Sequence, residues 1–149
     1  MVELTITTDG SCVGNPGPGA WACILRSAVH EKELVGSHPE TTSNRMELTA
    51  AIEGLRALRA PCRVRLASDS QYLKRGVTKF LPKWKANGFR KSNGEPVLNQ
   101  DLWGQLDQIA RRHEIQWEWV RGHGDHADQN RVDQLAVHAA RMEAERRPR

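Results

Sequence analysis

Cysteine is scarce in this sequence: Cys12, Cys23 and Cys62 are the three in 149 residues, far apart and odd in number. The lack of a C-x-x-C pair argues against a zinc or dithiol redox centre and leaves free thiols in a reducing compartment as the expectation. No stretch approaches the roughly 18 consecutive apolar residues of a membrane span, and no basic segment followed by an apolar one opens the chain as in a signal peptide. A cytoplasmic protein with no membrane association is expected. Internal repeats and low-complexity linkers are missing too. A length of 149 residues is common for one domain and suffices to bury a core without metal or disulfide staples. The expectation is therefore one domain over 1–149, a monomer with no obligate protein partner, with a frayed C-terminal tail from about 144.

Acidic residues vanish from one region. From Lys74 to Lys91 seven residues are basic (Lys74, Arg75, Lys79, Lys83, Lys85, Arg90, Lys91) and none is acidic; taking them away leaves 15 basic against 18 acidic residues. Basicity concentrated beside Trp84 and Phe89 fits a surface that grips phosphates with aromatic contacts interleaved. A solvated pair of basic helices is the alternative reading.

What is present is a clear alternation of elements. "VELTITTD" alternates Val2, Leu4 and Ile6 with Glu3, Thr5 and Thr7, which predicts a strand with Asp9 as its last residue. The following "GNPGPG" reads as a turn, because Pro16 and Pro18 lack N–H donors. "AWACILRS" and "KELVGSH" read as two further strands of an antiparallel meander. "TTSNRMELTAAIEGLRALRA" lines up Leu48, Ile52, Leu55 and Arg59 on a helix that Pro61 stops. "RVRLASDS" is a short strand ending on a second acid, Asp69. Short helices broken by Gly76, Pro82 and Gly88 follow, then a helix carrying Leu102, Leu106 and Ile109. The strand "IQWEWV" and a last helix from about Ala127 to Glu145 complete the order. This predicts a mixed α/β sheet of five strands with packed helices, the later strands parallel to the first. If the strands ending at Asp9 and Asp69 are parallel neighbours, both carboxylates lie at the carboxyl edge, where open α/β sheets bind ligands.

From the residues alone each acid has a second reading. Asp9 could initiate the turn, Glu47 could be a capping-box acid three residues after Asn44, Asp69 could cap the next helix, and Asp133 could pair with a surface arginine.

The segments "TDGSCVGNPGPGAW", "TTSNRMEL", "LASDSQYL", "NQDLW", "WEWVRGH" and "NRVDQLA", in this order and spacing, resemble the bacterial type 1 ribonuclease H from about Leu4 to Ala140. The resemblance implies the ribonuclease H-like fold, a five-stranded mixed sheet with helices on both faces. It also implies hydrolysis of the RNA strand of RNA–DNA hybrids, giving 3′-hydroxyl and 5′-phosphate ends. Asp9, Glu47, Asp69 and Asp133 would form the four-carboxylate site for two Mg²⁺ ions, with Mn²⁺ as a substitute. Hard oxygen donors suit such ions, and two of them together can activate water and offset phosphate charge. His123, in the glycine-bracketed "GHGDHADQN", would assist proton transfer or product release.

By the same resemblance Asn15, Asn44 and Gln71 line the groove that reads the 2′-hydroxyl. Thr42 belongs to a pocket for a phosphate of the DNA strand, and the basic protrusion at about 74–91, with Lys83, Trp84, Lys85, Arg90 and Lys91, grips that strand. The sequence departs from the family pattern at Ser43, where asparagine is common, at Phe89, where tryptophan is frequent, and at Asp125, where glycine is often found. Competing readings are a catalytically silent hybrid-binding module, which the intact acids oppose, and a transposase-type strand transferase, for whose DNA-end-binding domains 149 residues leave no room.

Overall fold

The computed structural model describes residues 1–122 and 124–146. In chain order the elements are β1 (Val2–Cys12), β2 (Gly17–Arg26), β3 (Glu31–Thr41), α1 (Ser43–Arg56), β4 (Cys62–Ser68) and α2 (Gln71–Arg75). A π-helical turn (Gly76–Phe80), α3 (Leu81–Ala86), α4 (Gln100–Ala110), β5 (Glu114–Trp119) and α5 (Ala127–Arg146) follow. The strands form one sheet in the order β3-β2-β1-β4-β5. The first three pair antiparallel, as a meander should, and β4 pairs parallel with both β1 and β5. No helix among the described residues is long and apolar enough to cross a membrane.

The alternation of each strand distributes its side chains between two layers. On one face Ile6, Cys23, Leu25, Val64 and Leu66 meet Leu48, Ile52 and Leu55 of α1 and Trp103 and Leu106 of α4. On the other, Val132 and Ala136 of α5 lie on Ala22 and Ile24 of β2. Helices thus cover both faces, with much the larger apolar cluster on the α1 and α4 side.

Four boundaries differ from the sequence reading. β1 runs on past Asp9 to Cys12, because β2 continues to pair with it there, with Cys12 opposite Gly19. β2 begins at Gly17, within the expected turn; Pro18 is accommodated at an irregularity in the β2–β3 register between Gly17 and Gly19. α1 ends at Arg56, before the Leu58–Arg59 turn, where the Leu58 N–H bonds the Leu55 carbonyl at 3.1 Å and tightens the chain. α5 continues through Arg146, so residues 144–146 are helical; residues 147–149 of the expected tail lie outside the described residues.

Candidate active site and nucleic-acid surface

The parallel β1–β4 ladder ends with Thr8 opposite Ser68. The next residue on each strand is an aspartate, so Asp9 and Asp69 emerge side by side where that half of the sheet stops. Glu47 joins them from the second turn of α1, and Asp9, Glu47 and Asp69 each present a carboxylate oxygen within 4.8 Å of the others. Gly10 permits this approach. A Cβ on it would stand 2.5 Å from the Glu47 amide nitrogen and 2.6 Å from the Met46 carbonyl carbon, so any side chain would push α1 off the strand. Gly122 has a similar relation to Asp69, whose Oδ2 would lie 3.0 Å from an added Cβ. Asp133 arrives from α5, near enough for its charge to act on the Asp9 carboxyl.

The helix caps that the acids might have supplied belong to other residues. Thr42 Oγ1 accepts from the Arg45 N–H at 3.2 Å and caps α1; Ser70 Oγ accepts from the Leu73 N–H at 3.0 Å and caps α2. Glu47 therefore sits beyond any capping box, and Asp69 precedes the cap. Asp9 Oδ1 does accept from the adjacent Gly10 N–H at 2.9 Å, but within a strand that continues straight on.

Burial makes this a costly set of charges. Asp9 is 4% exposed, and its pKa is pushed up to about 8, first by burial and then by the charge of Asp69 and of Asp133, with the Gly10 N–H opposing. Burial, with Asp9 and Asp69 adding, drives Glu47 well above the ordinary carboxylate range. Glu47 Oε2 is buried with no hydrogen-bond partner. An orphaned buried oxygen among converging carboxylates fits a hard divalent cation, which would neutralise the repulsion and occupy the free lone pairs.

The residues expected to touch nucleic acid divide into two groups. Asn15 Oδ1 accepts from the Ser43 N–H at 3.1 Å, which ties the β1–β2 turn to the amino end of α1. Asn15, Thr42 and Asn44 thus gather at one helix terminus, three residues ahead of Glu47 in the case of Asn44. Gln71 is exposed at the start of α2, beyond Asp69. In the basic segment Lys83, Arg90 and Lys91 are exposed, the Arg90 guanidinium donating to the Gly94 carbonyl at 2.9 Å. Lys85 instead places its ammonium 3.3 Å from Oδ1 of the buried Asp107, whose other oxygen takes Arg111 at 2.6 Å. Trp84 is half-buried, stacked on Phe80 at 5.5 Å and tilted against Trp103 at 5.4 Å, so much of its surface is spent on packing. The exposed aromatic of the segment is Phe80, which the sequence reading passed over. His123 lies outside the described residues.

Gly10, Gly122 and Gln129 also escaped the sequence reading. The signal that sets Gly10 apart is its place directly after a strand acid, where a helix comes close. Gln129, polar yet 1% exposed, donates from Nε2 to the Thr8 carbonyl at 3.0 Å.

Comparison with known proteins agrees with this geometry. The RNase H family model matches residues 1–141. Ribonuclease H of Halorhodospira halophila is 58% identical over 129 residues, 87% of each chain, and that of Solibacter usitatus is 51% identical over 144 residues, 97% of this chain and 99% of the relative. Among solved structures, a type 1 RNase H with the type 2 active-site motif superposes with a TM-score of 0.85 at 30% identity, over 96% of this chain and 74% of its own. Four acids from β1, α1, β4's end and α5, on this sheet order and in a chain with these relatives, leave one conclusion: the chain belongs to the RNase H family.

Proposed function

We propose that this chain is a metal-dependent endonuclease that hydrolyses the RNA strand of RNA–DNA hybrids, leaving 3′-hydroxyl and 5′-phosphate ends. The observation that carries the reading is the convergence of Asp9, Glu47 and Asp69 within 4.8 Å at the sheet edge of an RNase H family chain. Together with Asp133 they are the residues that would hold two Mg²⁺ ions, or Mn²⁺ in their place. Bound there, the ions would supply an activated water and offset charge on the phosphate and the leaving oxygen.

The chain's own side chains do the rest. Asp9, fixed in a strand paired on one side and ended on the other, holds its carboxylate at a set point between α1 and α5. Asn15, Asn44 and Gln71, with Glu47, read the 2′-hydroxyl with amide and carboxylate groups, which distinguishes RNA from DNA. Thr42 and the amino end of α1 hold a phosphate of the DNA strand, where the helix terminus favours negative charge. Lys83, Arg90 and Lys91 contact further phosphates of that strand, while Trp84 and Lys85 brace the segment that presents them. His123 moves a proton or helps product leave. The unit is one domain, acting as a monomer in the cytoplasm.

Incubating the protein with end-labelled RNA–DNA hybrid, RNA duplex and DNA duplex, with and without Mg²⁺, tests this. Metal-dependent cleavage confined to the RNA of the hybrid is the expected result. Cleavage of all three substrates, or hybrid binding without cleavage at any metal concentration, would overturn it.

A further inference from the structure

α5 must carry Asp133 to Asp9, so its register along the sheet decides where that carboxylate falls. Its apolar contact includes Val132 and Ala136 on Ala22 and Ile24, with Leu135 at the margin and Ala140 buried a turn further on. Small side chains on a flat strand surface attract without direction, so this contact sets the height of the helix better than its register. The polar ties to β2 and β3 lie nearer the surface: Arg26 on Asp128 through two bonds at 2.9 and 3.1 Å, Ser37 to Glu143 at 2.7 Å, and Arg131 to Glu33. The single exposed contacts among these hold weakly.

Gln129 is the buried polar exception. Its Nε2 donates at 3.0 Å to the carbonyl of Thr8, the residue before Asp9 and the last of β1 to pair with β4. Its backbone N–H is held by His126 Nδ1 at 3.0 Å, at the start of α5. Asp133 follows four residues later, one turn on along the same helix face. Two successive residues of one helix stripe thus meet two successive residues of β1: Gln129 on Thr8, Asp133 on Asp9. The amide is retained at a cost, because its Oε1 is buried with no partner, where a methionine would pack without one.

Resting on the metal-site reading above, we infer that Gln129 is a positioning residue of this enzyme: its amide locks the register of α5 against β1 and thereby sets the distance of the Asp133 carboxylate from Asp9. Loss of that lock leaves the fold standing and lets the helix shift along the sheet, away from the acids of β1 and β4.

The test is Gln129→Met, which keeps the volume and removes donor and orphan together. In metal-free buffer the variant is expected to melt no lower than wild type. Mn²⁺ titrated calorimetrically into the protein without nucleic acid is expected to bind roughly 10-fold more weakly, and kcat to fall by a similar factor with KM for hybrid unchanged. In an Asp133→Asn background Gln129→Met is expected to change Mn²⁺ affinity no further, since Gln129 acts through Asp133. Should Gln129→Met fail to fold, Gln129→Asn, which keeps the amide one methylene short, takes its place with the same expected weakening. Unchanged Mn²⁺ affinity in whichever variant folds, or an equal loss in the Asp133→Asn background, would make Gln129 an ordinary core residue and overturn the inference. Because the Mn²⁺ titration needs no substrate, it stands whether or not the wild-type protein cleaves hybrid.

Discussion

Asp9 is 4% exposed and lies within 4.8 Å of two other carboxylates, whereas Lys83, Arg90 and Lys91 stand in water on short helices and a loop. The two regions hold charge of opposite sign by opposite means. At the sheet edge the acids are buried together against desolvation and mutual repulsion, so they persist only because a ladder end, a close glycine and a packed helix hold each one in place. In the basic segment these three cations keep much of their hydration, cost little to display, and contribute to binding through the sum of released counterions. Damage to the first region is therefore expected to be abrupt and local, and damage to the second gradual and additive.

The largest effect should come from breaking the acidic side. Asp9→Asn keeps shape and removes charge, and is expected to lower hybrid cleavage by roughly 1000-fold or more, equivalent to about 4 kcal/mol of transition-state stabilisation. Near-full Mg²⁺-dependent activity in protein free of wild-type enzyme would dismiss the metal-site reading.

The same residue governs a pH effect on stability. In metal-free buffer folded Asp9, with its pKa near 8, keeps a proton at pH values where an unfolded aspartate, at 3.8, has lost it. The folded state thus binds more protons across that window, and stability falls as pH rises from about 4 to 8. Glu47, also raised, acts with the same sign. Thermal melts in EDTA are expected to give a lower Tm at pH 8 than at pH 5, and Asp9→Asn to flatten the trend and raise the pH 8 value. A wild-type Tm that climbs across the interval would contradict this.

On the basic side, replacing Lys83, Arg90 and Lys91 with alanine is expected to raise KM for hybrid roughly 10-fold and to reduce the slope of log affinity against log salt by about one for each phosphate no longer neutralised, with kcat little changed. Unaltered affinity and slope would reduce the segment to solvated surface. Trp84→Ala sharpens the contrast, because its packing on Phe80 and Trp103 predicts a fall in stability of about 2 kcal/mol, or roughly 5 °C in Tm, with the salt slope retained. The smallest effect belongs to Lys85→Ala. Asp107 keeps Arg111, so the change in stability is expected to be about 0.5 kcal/mol and the salt slope to move less than for Lys83→Ala. A larger slope change at Lys85 would place its ammonium on a phosphate in the complex.

Legibility in the sequence followed the range of the interactions involved. The strand of Val2, Leu4 and Ile6 and the helix of Leu48, Ile52 and Leu55 were readable because periods of 2 and 3.6 are local properties. Asp9 and Asp69 were readable as candidates because each follows or ends such a run. Glu47 was ambiguous, since Asn44 three residues before it imitates a capping box, and only the position of Thr42 as the true cap removed that reading. Trp84 was legible only in part: in sequence its basic neighbours suggested a ligand-facing ring, and the structure adds packing on Phe80 and Trp103.

By itself the sequence determined the order and type of the elements, the acids at the strand ends, the uneven spread of charge and, through its motifs, the family. The tertiary structure alone decided which acids meet, why Gly10 must lack a side chain, which cation is diverted to Asp107, and that a glutamine on α5 clasps a carbonyl 121 residues away. The physical reason is that side-chain periodicity records only which face a residue takes, whereas proximity across a sheet, the clearance over a glycine and the burial that lifts a carboxyl's pKa arise when distant segments pack, and leave no pattern in a single chain read end to end.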